Sequence, residues 1–390
     1  MASRLGLAPQ IDPEQFAHIE SLVGTPIRIE PFNHEATRDT IRHYALGIGD
    51  DNPLWCDPAY AAAGPHGDLL APPTFLYSAF DGAIGAGLPG VQPVYAGTEW
   101  VFHRRVRRGD EVDPSAVFSG VRRLSGSTSS DMVLQSCDIG YRVAGSPVAT
   151  ARAHTFRLPR RDASGGGLAY EPREEYVYSD AELDRIREHA LSEYRRGSAP
   201  LVFGELAPGT PIPSVVKGPI DRITMTSYYA GCIGSPGYKA CEVAWKYRDW
   251  ALNDPSRLPS NYDPSYFAET VLPSLGHQDA DVAREIGMPN AYDNGPQRCG
   301  WFSHAVTNWM GDTAFLRTLS IRLRRPDILG DTVWIGGEVE TLTEQDGLGV
   351  IGIRLEAVNQ LRQVVATGAA EVLCSLTPSD VPVEPADETR

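Results

Sequence analysis

The six cysteines of this chain (Cys56, Cys137, Cys232, Cys241, Cys299, Cys374) include no C-x-x-C pair, which argues against a zinc ribbon and against a disulfide framework. Reduced, buried thiols are the expectation. No apolar run approaches the ~20 residues needed to cross a bilayer. The N-terminus, MASRLGLAPQIDPEQF, has no basic segment followed by an apolar stretch and a small-residue cleavage site, so it does not read as a secretory signal, and a cytoplasmic location is expected. Positive charge is outnumbered, giving a formal net charge of −15. That balance repels a polyanion, and no basic cluster with interleaved aromatics offsets it, so nucleic acid is not an expected partner and neither is a membrane. The run RVRR around Arg107 is short and reads as a solvated strand end or a contact for phosphates.

What is present is repetition. A chain of 390 residues has room for two cores, and the sequence repeats accordingly. Gly24-Thr25-Pro26-Ile27 recurs as Gly209-Thr210-Pro211-Ile212, and Tyr44-Ala45-x-x-Ile48-Gly49 recurs as Tyr229-Ala230-x-x-Ile233-Gly234, both at an offset of 185 (209 minus 24 and 229 minus 44). One shared offset for separate matches marks a duplicated unit. Farther on, Asp57-x-x-x-Ala61-x-x-Gly64 resembles Asp279-x-x-x-Ala283-x-x-x-Gly287 at an offset of 222 (279 minus 57), so the second copy carries an insertion at about 235–276. This segment is rich in aromatics (Tyr238, Trp245, Tyr247, Trp250, Tyr262, Tyr266, Phe267), and a long insertion of this kind commonly serves as a lid or binding loop.

Each copy then shows a helical stretch opened by proline, APPTFLYSAFDGAIG in the first and GPQRCGWFSHAVTNWMGD in the second, as suits a helix N-terminus. Four strand-like runs with turn signals follow each, and Gly109-Asp110 and Gly330-Asp331 mark the same turn in both. A helix followed by an antiparallel meander, twice, predicts an α+β chain with each helix lying against a curved sheet. The boundaries are 1–160 for the first unit, 161–204 for a linker and 205–390 for the second. Within the linker, SDAELDRIREHALSEYRRG reads as a helix with Ser179 as N-cap and no chemistry of its own.

The stretch from Tyr44 to Asp57, with Gly49, Asp50, Asn52, Pro53, Asp57 and then Ala61, resembles the hydratase motif of MaoC-like proteins, the (R)-specific enoyl-CoA hydratase family. Where that family has its catalytic histidine, this copy has Trp55. In the second copy the aspartate position is Ser235, while the histidine half survives as His277-x-Asp279-x-x-x-Ala283. The resemblance covers both halves and implies a double hot-dog fold. It also implies hydration of an enoyl thioester, or dehydration of a 3-hydroxyacyl thioester, carried on coenzyme A or an acyl carrier protein. No metal or redox cofactor is implied.

That chemistry needs a base for the water proton, an acid for the α-carbon and a donor for the developing enolate oxygen. In the family the oxygen is held by a backbone N–H at the start of the central helix. The corresponding place here is Asp293-Asn294-Gly295-Pro296, where glycine permits close approach. In the first copy it is Ala71-Pro72-Pro73-Thr74, whose two prolines remove two donors. The second copy therefore carries the candidate site, with His277 as acid/base, Tyr292, Asp293 or Asp50 as the second polar group, and an acid of the insertion as a further option. Gly295, Asn294, Asn52, Asp279 and Arg298 are the candidate substrate-binding residues.

Plainer readings stand beside these. His277 is a surface histidine at the end of an insertion, Asp50 and Asn52 are turn formers, Asp57 and Asp279 cap short helices, and Arg298 pairs with Asp293 rather than with substrate. His304, inside the predicted helix, reads as a packed core histidine. Gly82, Gly85, Gly87 and Gly90 follow a helix rather than a strand, which makes a nucleotide loop a poor reading. The competing function is a hot-dog scaffold that binds an acyl group, or serves another biosynthetic reaction, without hydrating it. Two tandem units supply the usual hot-dog pairing within one chain, so monomer and homodimer are both compatible with the sequence.

Overall fold

A computed structural model describes residues 11–124, 131–159, 170–232, 239–268 and 272–385. The repeat seen in the sequence becomes ten antiparallel strands. The first half supplies β1 (Pro26–Ile27), β2 (Gln92–Phe102), β3 (Asp113–Leu124), β4 (Met132–Val143) and β5 (Ser146–Leu158); the second supplies β6 (Pro211–Lys217), β7 (Phe315–Leu323), β8 (Val333–Gln345), β9 (Leu348–Asn359) and β10 (Val364–Ser375). Their order is β1-β3-β4-β5-β2-β7-β10-β9-β8-β6. The second five strands thus repeat the first five in mirror order, and the halves join edge to edge where β2 meets β7, with Trp100 opposite Leu319. That pairing covers one edge of each sheet.

Local geometry repeats with the sequence. Gly24 donates its N–H to the Phe118 carbonyl at 2.7 Å, and Gly209 donates to that of Val339 at 2.8 Å. At the join, Gly97 has φ +142°, and a Cβ there would meet the Ile321 carbonyl oxygen, so only glycine lets the two sheets approach this closely. The helices Arg38–Gly47 and Arg222–Cys232, related by the repeat, pack on one another across the same junction.

The two central helices differ. In the second half the predicted helix forms over Gly295–Met310, and every residue from Pro296 to Met310 is buried, packed on strands of both halves and against Tyr44 and Ile48. In the first half a six-residue 3-10 turn, Pro73–Ser78, stands in its place. Prolines at its start and glycines at 82, 85 and 87, each with positive φ or a close neighbour where a Cβ would stand, prevent elongation.

The linker helix forms over Asp180–Leu191 with a Ser179/Glu182 capping box. Contrary to expectation, the chain after it is more than a connector, since Glu193 and Arg195 enter a buried polar cluster described below. The insertion forms helices at Cys241–Asn253 and Pro264–Ala268. Its return path docks on the first half: the Ser260 N–H donates to the Arg28 carbonyl at 2.9 Å, and Gly87 N–H donates to Asp263 at 2.7 Å. No helix among the described residues is long and apolar enough to cross a membrane.

Candidate active site

A cleft with an empty volume of about 1230 Å³ opens between the halves. The second half lines it with Tyr229, His277, Tyr292, Asp293, Asn294, Gly295 and Arg298, the first half with Asp81 and Tyr95, and the insertion with Tyr262 and Tyr266. Trp245 and Leu252 of the insertion stay exposed instead, and Tyr238 lies outside the described residues. Tyr262 and Tyr266, on the return path of the insertion, are thus its aromatics that reach the cleft.

His277 ends a short 3-10 helix, Pro273–His277. Its Nδ1 lies 3.0 Å from the Tyr292 carbonyl oxygen and 3.1 Å from that of Asp293. Carbonyls only accept, so Nδ1 carries the proton and Nε2 is left as a lone-pair acceptor. Burial pushes the imidazole down to about 4, which keeps it neutral at pH 7. Tyr292 and Tyr229 flank the ring at centroid distances of 4.2 and 6.2 Å.

Gly295 opens the long buried helix, so its N–H has no partner in the preceding turn. A Cβ at this position would come within 2.5 Å of Tyr95. The backbone thus lies flush against the first half, and the positive end of the helix faces the same cleft as His277. Asn294 is the N-cap but makes no side-chain cap bond.

Other expected residues are committed elsewhere. Asp293 meets Arg298 Nε at 2.8 Å and accepts from the Asp327 N–H at 3.1 Å, while Arg298 also reaches Asp327 at 2.9 Å and donates to the carbonyls of Arg325 and Val365. Burial raises both carboxyl groups of this ion triad, against the pull of Arg298. Arg298 is thus a buried clamp, with four polar contacts to its guanidinium. Asp279 accepts from the N–H groups of Asp281 and Val282 and caps the helix Ala280–Glu285, so the substrate role expected of it gives way to capping.

Asp50 and Asn52 do not line the cleft. Asn52 caps the turn Pro53–Cys56 through Leu54 N–H, and Asp50 accepts from Asn52 N–H at 3.0 Å and lies 3.4 Å from His304 Nε2. The expected pairing of Asp50 with His277 therefore does not form. His304 is buried on the central helix, with Lys217 Nζ 2.6 Å from its Nδ1 and Glu193 3.0 Å from its Nε2. Burial lowers Lys217 to about 8. Glu193, although burial opposes it, is held at about 2 by His304 and Lys217. His304 is thus buried among charged groups. Ser235, where the family has its aspartate, lies outside the described residues.

The sequence reading missed Asp81. It follows the short 3-10 turn by three residues and enters the cleft because the chain breaks there instead of continuing as a helix. Its signal was the Phe80-Asp81-Gly82 break inside a stretch read as helical. Among the described residues no group of acids, histidines or cysteines is arranged to hold a metal ion.

Residues 21–151 match the FAS1-like, dehydratase domain region. A UPF0336 protein of Thermobifida fusca is 31% identical over 143 residues, covering 35% of this chain and 90% of that protein. Another from Parafrankia is 38% identical over 94 residues, a match that takes in 22% of this chain and 62% of that protein's length. The 3-oxo-4,17-pregnadiene-20-carboxyl-CoA hydratase beta subunit of Mycobacterium tuberculosis is 28% identical over 103 residues, 25% of this chain and 77% of its own. Among solved structures, a MaoC-like dehydratase aligns with a TM-score of 0.59 at 16% identity, over 92% of this chain and 100% of that one. A conserved hypothetical protein of M. tuberculosis with a double hotdog fold aligns at 0.51 and 13% identity, over 91% and 98%. These likenesses show the double hot-dog fold that the resemblance implied.

Proposed function

We propose that this chain, which belongs with the UPF0336 proteins, is a MaoC-like dehydratase that hydrates an enoyl thioester, or dehydrates a 3-hydroxyacyl thioester, in the cleft between its halves. One observation carries this reading. The two backbone carbonyls that hold Nδ1 of His277 leave Nε2 unprotonated, in the cleft that is also lined by Gly295 at the helix start.

In hydration, Nε2 takes a proton from water as the oxygen bonds to Cβ, and the π electrons move to give an enolate on the thioester. The Gly295 N–H holds the negative oxygen, and the helix dipole adds to it. A second group then protonates Cα. Dehydration reverses the path. Arg324 and Arg325, exposed residues of the cleft lining, suit the phosphates of coenzyme A or of a carrier-bound pantetheine.

The test is direct. The full chain is incubated with a panel of straight and branched trans-2-enoyl-CoA thioesters and their 3-hydroxyacyl forms, and loss of the conjugated thioester is followed. Turnover is expected, and His277→Ala lowers kcat by on the order of 10²–10⁴-fold. Absence of turnover on every member, or full activity in His277→Ala, overturns the reading. The engagement of Asp293 by Arg298 favours the acyl-binding alternative, and tight thioester binding without turnover would establish it.

A further inference from the structure

We propose that Asp81, delivered across the cleft by the first half, is the second acid/base residue, so that the two halves complete one catalytic site. This inference rests on the hydration reading above. It starts from an elimination. Among the described residues that line the cleft, the carboxyl groups are those of Asp81 and Asp293. Asp293 is closed off by Arg298 and the Asp327 N–H. Asp81 accepts from the Ala83 N–H at 2.9 Å, and among the described residues no cation pairs with its carboxyl group.

The loop that carries Asp81 is held at both ends. Tyr95 donates its hydroxyl to the Asp81 carbonyl at 2.9 Å, and Tyr95 is also the residue against which Gly295 packs. Downstream, Gly85 donates its N–H to the Asn261 carbonyl at 2.6 Å, and Gly87 donates to Asp263. The insertion of the second half therefore fixes the loop of the first, and a fixed acid is what proton transfer requires. Burial without a compensating cation raises the Asp81 carboxyl to about 6, which keeps a fraction of it protonated near neutral pH. The acid beyond the long helix, Asp312, lines the other cavity instead, where the Tyr60 hydroxyl donates to it at 2.7 Å.

The step balances. As water adds, one of its protons goes to His277 Nε2 and its oxygen to Cβ. The Asp81 carboxylic acid gives its proton to Cα as the enolate collapses to the thioester. Imidazolium and carboxylate are left, and transfer of the extra proton from His277 to Asp81 restores both. The net change is addition of H and OH across one C=C bond.

The experiment uses the full chain, with the thioester of the panel that the wild-type protein turns over fastest. Asp81→Asn keeps the shape and removes the proton donor; kcat is expected to fall on the order of 10²–10⁴-fold with KM within threefold. A kcat above a tenth of wild type overturns the role of Asp81 while leaving the reaction in place. Asp81→Glu retains the acid one methylene out of position and is expected to keep more activity than Asp81→Asn. If Asp81→Asn does not fold, a folded Asp81→Glu with unchanged kcat overturns the inference. A wild-type protein inactive on the whole panel overturns the reaction itself, and the catalytic role of Asp81 with it.

Discussion

Where the second half places His277, Tyr292, Asp293 and Gly295, the first half places Trp55, Leu70, Ala71 and Pro73, each 222 residues earlier. Several backbone hydrogen bonds around them are shared. Ala71 N–H donates to the Val106 carbonyl and Asp293 N–H to that of Asp327, both at 2.9 Å; Arg108 N–H donates to Leu69 and Leu329 N–H to Ala291. Yet the first-half cavity, about 560 Å³, is lined mainly by apolar groups, Leu54, Trp55, Leu70, Leu76, Phe102 and Val106 among them, together with Arg104, Arg105 and Asp312, whereas the second-half cleft is larger and adds His277 and several tyrosines to its acids and arginines. The comparison teaches that backbone hydrogen bonding holds the repeat in shape regardless of what its side chains do. One copy was therefore free to fill with hydrophobic groups while the other kept polar ones.

The buried ion triad gives the largest test of that idea. At the places of Asp293, Arg298 and Asp327 the first half carries Ala71, Leu76 and Val106. Arg298→Leu alone strands two buried carboxyl groups and is expected to cost about 3–5 kcal/mol in urea unfolding. The triple variant Asp293→Ala, Arg298→Leu, Asp327→Val copies the first half and is expected to recover most of that loss. A triple variant as unstable as the single one would break the equivalence of the two sites.

A smaller effect separates His277 from Trp55. The imidazole is held near 4 against an ordinary 6.5, so the unfolded chain binds a proton that the folded one refuses. Its stabilising contribution is complete above about pH 6.5 and is lost as pH falls toward 4, by about 3 kcal/mol. His277→Gln is expected to flatten this part of the stability profile, measured as the urea midpoint between pH 7 and 4. An unchanged slope would mean the ring is not desolvated as described.

The smallest expected difference is none at all. Asp57 and Asp279 cap equivalent helices through two N–H groups each. Substituting either by alanine is expected to cost about 1 kcal/mol, and thermal melts showing clearly unequal losses would show that the halves differ even in their scaffolding.

The architecture was legible because duplication writes itself into spacing. The offset of 185 located β1 against β6, the Gly-Asp turns located the meanders, and the strands formed where the alternating runs lay. The long helix of the second half was equally legible from its proline and its apolar length. Its first-half counterpart was not, because a stretch of six helix-compatible residues reads as helix until the prolines before it and the glycines after it leave it as a short 3-10 helix. The site was legible in part. His277 and Gly295 were found through their registration with the repeat, while Asp293, Arg298, Asp279 and Asp50 have the right chemistry but spend it on one another, on helix caps and on His304.

The sequence by itself determined that there are two related units, that the second holds the histidine and the glycine-led helix start, and that prolines remove the equivalent donors from the first. Only the tertiary structure decided which acids are free, since a carboxylate's availability depends on the cation or N–H within three ångströms of it and not on its neighbours in sequence. It also joined the halves along β2 and β7, which brought Asp81, 196 residues before His277 (277 minus 81), to line the same cleft.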